Sequence, residues 1–250
     1  MLLALFSDIH ANRQAFSACL EAARGRGAQR IVFLGDFVGY GGDPEWTVDT
    51  AIRLIADGAV AVRGNHDEAI ATTSETMNAQ AQVAIEWTRD RLSAPQRRFL
   101  AELPLSLQEE DRLYVHSEAS APSHWNYVQS ATDAARSLIA TPAHVTFCGH
   151  FHRPALYSMS TTAKMTSFVP TSGVPIQLLR GRRSVSRAMA IPRRPLPCTT
   201  PNRAKSPIVA CLTTSRRRRG GSGRTACRPG SQIALLRGGE GGATCHPDRI

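Results

Sequence analysis

The amino-acid sequence predicts an α/β protein with a largely parallel sheet. Over residues 1–180, short apolar strands alternate with amphipathic helices, and such connections place successive strands parallel through right-handed crossovers. Each of five predicted strands ends in a polar cluster containing Asp, Asn or His. The chain has 250 residues, of which 42% are hydrophobic, so it can bury a sizeable core.

The periodicity of apolar residues defines the elements in order. The first three predicted strands are 2–6, 31–34 and 59–62, and later strands are 113–115 and 144–148. Weaker, antiparallel strands are predicted at 155–159, 164–169 and 174–179. The predicted helices are 12–24, 44–56, 77–92, 94–102 and 132–140. Asp43 and Pro44 suit the N-cap and first position of the second helix.

The polar clusters at the strand ends are candidate metal ligands. In open α/β sheets ligands bind at the carboxyl ends of the strands, so these side chains are expected to meet at one edge. Imidazole together with carboxylate suits Mn, Fe, Zn, Ni or Co, and two such cations need a bridging carboxylate. On extended backbone, the i and i+2 side chains of Asp8-Ile-His10 and His150-Phe-His152 would point the same way. The candidates are Asp8, His10, Asp36, Asn65, His116, His150 and His152.

These blocks and their order resemble the calcineurin-like metallophosphoesterases, and most nearly their small bacterial and archaeal phosphodiesterase branch. The resemblance rests on Asp8-Ile-His10, Gly35-Asp36 followed by Gly39, Gly64-Asn-His-Asp67, His116 and Gly149-His-Phe-His152. It implies a four-layer αββα sandwich of two mixed β-sheets flanked by helices. Ala11, Ser117 and Phe151 depart from the residues common in the family, and the Phe151 side chain is expected to point away from the metals.

The resemblance also implies roles for the residues. Asp8, His10 and His152 would bind one divalent cation, Asn65, His116 and His150 the second, and Asp36 would bridge them. His66 would act as general acid or stabilise the phosphoryl oxygens, oriented by Asp67. The implied function is hydrolysis of a phosphate mono- or diester by a hydroxide bound to two metals, with manganese favoured. One alternative is a non-catalytic scaffold, but such relatives normally lack ligands and this chain has them all. The other alternative is nucleic-acid binding through the basic C-terminal tail.

Four further residues each allow two interpretations, a contact with the substrate or an ordinary structural role. Tyr40 and Arg63 could contact the substrate phosphate or be ordinary surface groups. Trp125 and Tyr127, after Ala121-Pro122, could form a lip over the substrate or pack normally. No apolar run reaches the ~18–20 residues of a membrane span, and the N-terminus lacks a signal-peptide pattern. A cytoplasmic protein without a membrane partner is therefore expected, with its oligomeric state open.

Residues 181–250 differ sharply from the predicted catalytic domain, 1–180. The domain has 15 Lys and Arg against 18 Asp and Glu, whereas the tail has 15 against 2, so the net charges are −3 and +13. The tail has no Phe, Tyr or Trp and is rich in Arg, Pro and Gly. Such a composition predicts disorder, and the C-terminal strands of the sandwich are expected to be missing. Nucleic acid could bind the tail only non-specifically.

An out-of-frame tail is the other hypothesis. Reading the codons one base upstream, Ser184–Pro192 can encode Val-Gly-Gln-Pro-Arg-Asp-Gly-Asp-Pro, which is typical of the resembled family. Two later segments, Pro197–Pro201 and Ser206–Ala210, are similarly compatible with family-like sequence. The reading frame is therefore expected to change near Arg183, and an uninterrupted frame in the resequenced coding DNA would contradict this.

Overall fold

The structure is a computed structural model that describes residues 2–72, 77–168 and 176–181, and the backbone of 207–211 and 233–237. Its strands are β1 Leu3–Phe6, β2 Arg30–Phe33, β3 Val60–Ala61, β4 Ser106–Glu109, β5 Arg112–Val115, β6 Val145–Cys148, β7 Ala155–Met159, β8 Met165–Phe168, β9 Gln177–Arg180, β10 Pro207–Cys211 and β11 Ile233–Arg237. Its helices are α1 Arg13–Gly25, α2 Pro44–Ala56, α3 Asn65–Ala71, α4 Ala79–Arg91, α5 Ala94–Glu102 and α6 Ala131–Ile139, with a short 3₁₀ turn at Pro122–His124.

Several helix starts follow directly from the sequence. The side chains of Asn12, Asn78 and Ser93 each accept a hydrogen bond from a backbone N–H in the first turn of the helix that follows. These bonds satisfy N–H groups that have no partner within the helix. Pro44 stands at the start of α2, as predicted, although the Asp43 side chain makes no capping hydrogen bond.

Two mixed sheets form the centre of the fold. The first has the order β11-β10-β1-β2-β3, in which β10, β1, β2 and β3 are parallel and β11 is antiparallel to β10. The second has the order β4-β5-β6-β9-β7-β8, in which β5 and β6, and also β7 and β9, pair in parallel. Its remaining pairings are antiparallel.

Alternating side chains place the two sheets between two layers of helices. Leu5 and Val32 of the first sheet share a buried cluster with Tyr114 and Phe147 of the second, so these faces pack against each other. Because successive strand residues face opposite sides, Phe6 points the other way, into a cluster with residues of α1 and α2. On the outer face of the second sheet, Val115, Cys148 and Leu179 pack with Ala134 and Leu138 of α6. The predicted four-layer α/β/β/α arrangement is thus confirmed.

The structure adds elements that the sequence analysis omitted. The helix α3 begins at Asn65, within the polar cluster that follows the third strand and for which no helix was predicted, and β4 adds an edge strand. In the tail, β10 and β11 extend the first sheet beyond β1. The expectation of missing C-terminal strands and of no regular structure in the tail is therefore corrected for these two segments.

Other expectations lie outside the described residues. They concern the remaining tail residues, the segments Ser184–Pro192 and Pro197–Pro201, and the frame change near Arg183. The ends of the predicted strands at Val169 and Val174 also lie outside. The out-of-frame origin of the tail stays a prediction.

Candidate metal centre

Side chains from the carboxyl ends of β1, β2, β5 and β6 converge at one edge of the fold, together with the start of α3. Their donor atoms form three groups, in each of which the atoms lie within 4.8 Å of one another. The groups are Asp8, His10 and His152; His10, Asp36 and His66; and Asp36, His116 and His150. Six of the seven predicted ligands belong to these groups. The seventh, Asn65, places its Oδ1 3.2 Å from His116 Nε2.

The first group has three donor atoms around one point. His152 Nε2 lies 3.0 Å from Asp8 Oδ1 and 3.3 Å from His10 Nε2. His10 Nδ1 lies 3.0 Å from the Val38 carbonyl oxygen, which can only accept, so Nδ1 carries the proton and Nε2 keeps its lone pair. Hydrogen bonds of this kind orient the histidine ligands of metal sites.

Asp36 lies at the centre of the site. Its Oδ2 is 3.4 Å from His116 Nε2, 3.7 Å from His10 Nε2 and 4.0 Å from His66 Nε2. Burial alone would raise the pKa of Asp36, but the charges of His116 and His66 lower it well below its usual value. Asp36 shares one group with His10 and another with His116 and His150, so its carboxylate lies next to candidate ligands of both predicted cations.

His116 is held in the same way as His10. Its Nδ1 lies 2.6 Å from the Leu34 carbonyl oxygen, so Nε2 faces Asp36 and Asn65. Burial opposes protonation of this ring, but the Asp36 carboxylate outweighs burial and raises the His116 pKa to about 9. A proton and a metal ion compete for the same Nε2 lone pair. The combined set of imidazole, carboxylate and amide donors therefore fits divalent cations of the Mn, Fe, Zn, Ni or Co type.

The backbone at these residues is unusual. Five of the seven predicted ligands have left-handed φ angles: Asp8 54°, His10 49°, Asp36 56°, His150 64° and His152 54°. This corrects the expectation that the Asp-x-His and His-x-His pairs lie on extended backbone. Residues with side chains adopt this conformation at a cost of about 1–2 kcal/mol each. The side chains are brought together by tight left-handed turns at the strand ends.

Asp67 connects the turn after β2 with the start of α3. Its carboxylate accepts hydrogen bonds from the backbone N–H groups of Asp36 (2.8 Å), Gly64 (3.0 Å) and Phe37 (2.9 Å), and not from the His66 ring. Asp67 is fully buried, and burial with the nearby Asp36 charge raises its pKa to about 7. Asp67 therefore joins the β2 turn to the start of α3, the helix that carries His66. Its role in orienting His66 stays a prediction.

His66 lies against a glycine. Its ring is buried, which lowers its pKa to about 4, so the ring is neutral near pH 7. A Cβ atom on Gly39 would lie 2.4 Å from His66 Nδ1, and Gly39 has a φ of +89°. The glycine of the Gly35–Gly39 block thus gives the His66 ring its space.

We expect Gly39→Ala to lower hydrolytic activity about 10-fold, because the methyl group displaces His66 and strains the backbone. Steady-state kinetics on the manganese-loaded protein measures the effect. The matched control is Gly42→Ala, where a Cβ would meet nothing within 4 Å. Equal activity of Gly39→Ala and Gly42→Ala would contradict a role for His66 in the reaction.

A pocket of about 400 Å³ opens over the site. It is lined by Asp36, Tyr40, Asn65, His66, Tyr127, His150, Phe151, His152 and Arg153. Tyr40 and Tyr127 therefore face the pocket. Arg63 does not line it: its Nη1 donates to the Ala101 carbonyl oxygen at 2.6 Å and its Nε lies 3.5 Å from Glu68.

One supporting residue, Glu118, was not predicted from the sequence. Glu118, buried after β5, accepts hydrogen bonds from the backbone N–H groups of Ser120 (2.7 Å) and Ala121 (2.9 Å). It thereby folds the loop that reaches Trp125, whose carbonyl oxygen lies 2.8 Å from His150 Nε2. The only signal in the sequence is an acidic residue two positions after His116. Ser117 fits this turn, since its hydroxyl donates to the Pro122 carbonyl oxygen at 3.2 Å.

Comparison with known proteins agrees with the geometry. Residues 1–174 match the calcineurin-like phosphoesterase superfamily domain, and the chain belongs to this superfamily. It is similar to a metallophosphoesterase structure from Sphaerobacter thermophilus, with 30% identity, a TM-score of 0.57, and coverage of 74% of this chain and 78% of that one. The fold is also shared with a hypothetical protein, PH1004, from Pyrococcus horikoshii, at 15% identity and a TM-score of 0.53, covering 68% and 88% of the two chains.

A curated relative is an uncharacterised protein, MJ0912, from Methanocaldococcus jannaschii. It is 32% identical over 134 residues, which are 51% of this chain and 54% of the relative. The chain thus spans about half the length of that relative. Within the part of the chain that the structure describes, no helix has the length and apolar character needed to cross a membrane.

Proposed function

We propose that this chain hydrolyses a phosphate mono- or diester with two divalent cations, manganese being favoured. The observation that carries the proposal is the position of Asp36. Its Oδ2 lies 3.7 Å from Nε2 of His10, in one set of candidate ligands, and 3.4 Å from Nε2 of His116, in the other. Asp36 also lines an open pocket. A shared carboxylate is what a pair of cations a few ångströms apart requires.

The described residues divide between the two cations. Asp8, His10 and His152 would hold one, Asn65, His116 and His150 the other, and Asp36 both. When bound, such cations supply a nucleophilic water at neutral pH and positive charge that stabilises the phosphoryl oxygens. The chain itself has a slight negative charge over residues 1–180, so this positive charge would come from the metals.

His66 would act on the substrate from the wall of the pocket. Its Nε2 lies 4.0 Å from Asp36 Oδ2 and its ring lines the pocket. A neutral imidazole retains one N–H, which can donate to a phosphoryl oxygen or to the leaving oxygen. Gly39 and Asp67 support this position, Gly39 by leaving space for the ring and Asp67 by fixing the start of α3.

The experiment combines metal titration with an activity assay. Calorimetric titration of the full-length protein with Mn²⁺ is expected to give two ions per chain. The loaded protein is expected to hydrolyse p-nitrophenyl phosphate, bis(p-nitrophenyl) phosphate or both, and chelation should abolish the activity. Binding of two ions without hydrolysis of any phosphate ester would favour the non-catalytic scaffold. Failure to bind two ions would contradict the dinuclear assignment.

A further inference from the structure

Three aromatic rings surround the mouth of the pocket, and we call Tyr40, Tyr127 and Phe151 the aromatic rim. Tyr40 lies beside the first two groups of ligands, with its ring centroid 5.0 Å from His10 and 4.8 Å from His66. Tyr127 lies beside the third group and stacks on His150 at 4.3 Å and 15°. The rim therefore borders the candidate metal centre on both sides.

Phe151 lines the pocket next to Tyr127. Its ring centroid lies 5.5 Å from Tyr127, and the Arg153 guanidinium lies 5.3 Å from its centroid. From the sequence, this side chain is expected to point away from the metals. The structure agrees that it is not a ligand but places it in the pocket wall. A residue that departs from the family pattern thus shapes the pocket.

The exposure of the rim is a second observation. The tyrosine side chains keep large surfaces accessible, 45% for Tyr40 and 47% for Tyr127. Neither ring is needed to fill a core, since both lie outside the three buried clusters of the described residues. Exposed aromatic surface beside a polar floor is typical of a site that binds a partly apolar ligand.

We propose that the aromatic rim binds a planar aromatic group carried by the alcohol part of the phosphate ester, either a simple aryl group or the nucleobase of a nucleotide. This inference rests on the proposed phosphoesterase function. The polar floor would take the phosphate, and the rings would contact the face of the aromatic group. A pocket of about 400 Å³ has room for a phosphate and one ring system. Arg153, at the outer edge, would lie beside a further anionic group of the ligand.

The test compares two ligands that cannot be hydrolysed as esters and that have the same number of non-hydrogen atoms. Benzylphosphonate and cyclohexylmethylphosphonate share the phosphonate and differ in whether the ring is planar and aromatic. Calorimetry on the manganese-loaded, full-length protein is expected to show about 5-fold tighter binding of the benzyl compound, because aromatic contacts exceed simple area burial. The ratio of the two affinities is independent of the fraction of protein that carries metal.

Variants of the rim assign the preference to its residues. Phe151→Leu and Tyr127→Leu keep apolar bulk but lose the aromatic face, and each is expected to reduce the ratio to below about 2-fold. The matched control is Phe168→Leu, at an exposed phenylalanine on β8 remote from the pocket, where the ratio should not change. A second arm compares KM for adenosine 5′-monophosphate and ribose 5-phosphate.

The outcomes separate the two proposals. A KM for adenosine monophosphate about 10-fold below that for ribose 5-phosphate identifies a nucleobase, since stacking contributes about 1–3 kcal/mol per base. Equal KM values with a retained benzyl preference identify a simple aryl group. Equal affinity for the two phosphonates, or a full preference in both rim variants, overturns the inference even if esters are hydrolysed. Absence of any ester hydrolysis contradicts the proposed function instead.

Discussion

Replacing Asp36 with alanine is expected to lower metal-dependent phosphoester hydrolysis at least ~100-fold, on the scale of ligand and electrostatic contributions to such sites. The carboxylate lies within 4.0 Å of His10, His66 and His116, so its loss would remove the proposed bridging ligand. The number of Mn²⁺ ions bound per chain should fall below two. Kinetics and calorimetric titration on the same preparations measure the two effects.

Asp36→Asn separates charge from shape. The amide can preserve the hydrogen bond that Asp36 Oδ1 accepts from the His66 backbone N–H at 3.0 Å, while removing the negative charge. Its activity is expected to fall nearly as far as that of the alanine variant, because the bridging role depends on charge. The control is Asp111→Asn, at an exposed carboxylate on the β4–β5 turn. Wild-type turnover and two bound ions in Asp36→Asn would exclude Asp36 as the bridge.

Asp67→Ala is expected to lower the free energy of unfolding by about 4 kcal/mol, because it leaves three buried backbone N–H groups without an acceptor. These N–H groups belong to the β2 turn and the start of α3, so the variant should also weaken the placement of Asp36 and Asn65. Urea unfolding of the chelated protein measures the stability without a contribution from metal binding.

Asp67→Asn provides a graded comparison. One oxygen remains and can accept from Asp36 and Gly64, whereas the amide NH₂ faces the Phe37 N–H. The loss of stability should lie between those of the alanine variant and wild type. Asp57→Ala, at an exposed position after α2, should change stability by less than about 0.5 kcal/mol. An effect of Asp67→Ala as small as that of Asp57→Ala would show that the three bonds contribute little.

The sequence was informative where burial and periodicity agree. Strand β1 and helix α1 have apolar residues at the spacing of the element that forms, and both occur within one residue of their predicted bounds. By contrast, α3 begins Asn-His-Asp-Glu, and its N-terminus is fixed by Asp67 bonds to another strand end. Strand β4, Ser-Leu-Gln-Glu, has one apolar residue and lies at a sheet edge, so hydrophobic patterning could not reveal it.

The residues of the candidate site could be predicted from the sequence, but their arrangement in space could not. The seven ligand candidates follow strand ends, and parallel strands bring such ends together. Left-handed φ angles at Asp8 or His150 leave no mark in the sequence, because any residue type can be forced into them by its surroundings. Tyr127 and Phe151 are 24 positions apart, and their contact depends on the loop that Glu118 folds.

The tail illustrates the limit of composition as a predictor. Its charge and lack of aromatic residues predict disorder, yet Pro207–Cys211 and Ile233–Arg237 are short apolar segments that pair next to β1. A strand pairs with a sheet edge through backbone hydrogen bonds. These bonds need an extended backbone in the paired segment and no particular side chains in the residues around it. Local apolar runs were therefore the better guide to these two strands than the average over the last 70 residues.

Five of the candidate ligands have left-handed φ angles, and this limits how the site could be grafted onto another protein. A designer who grafted the seven side chains onto another sheet would begin with residues that prefer ordinary strand or helix geometry there. The donor atoms would then point apart, although every residue of the motif was present. The unit that has to be transferred is the strand end with its turn, including Gly39 and the Asp67 hydrogen bonds.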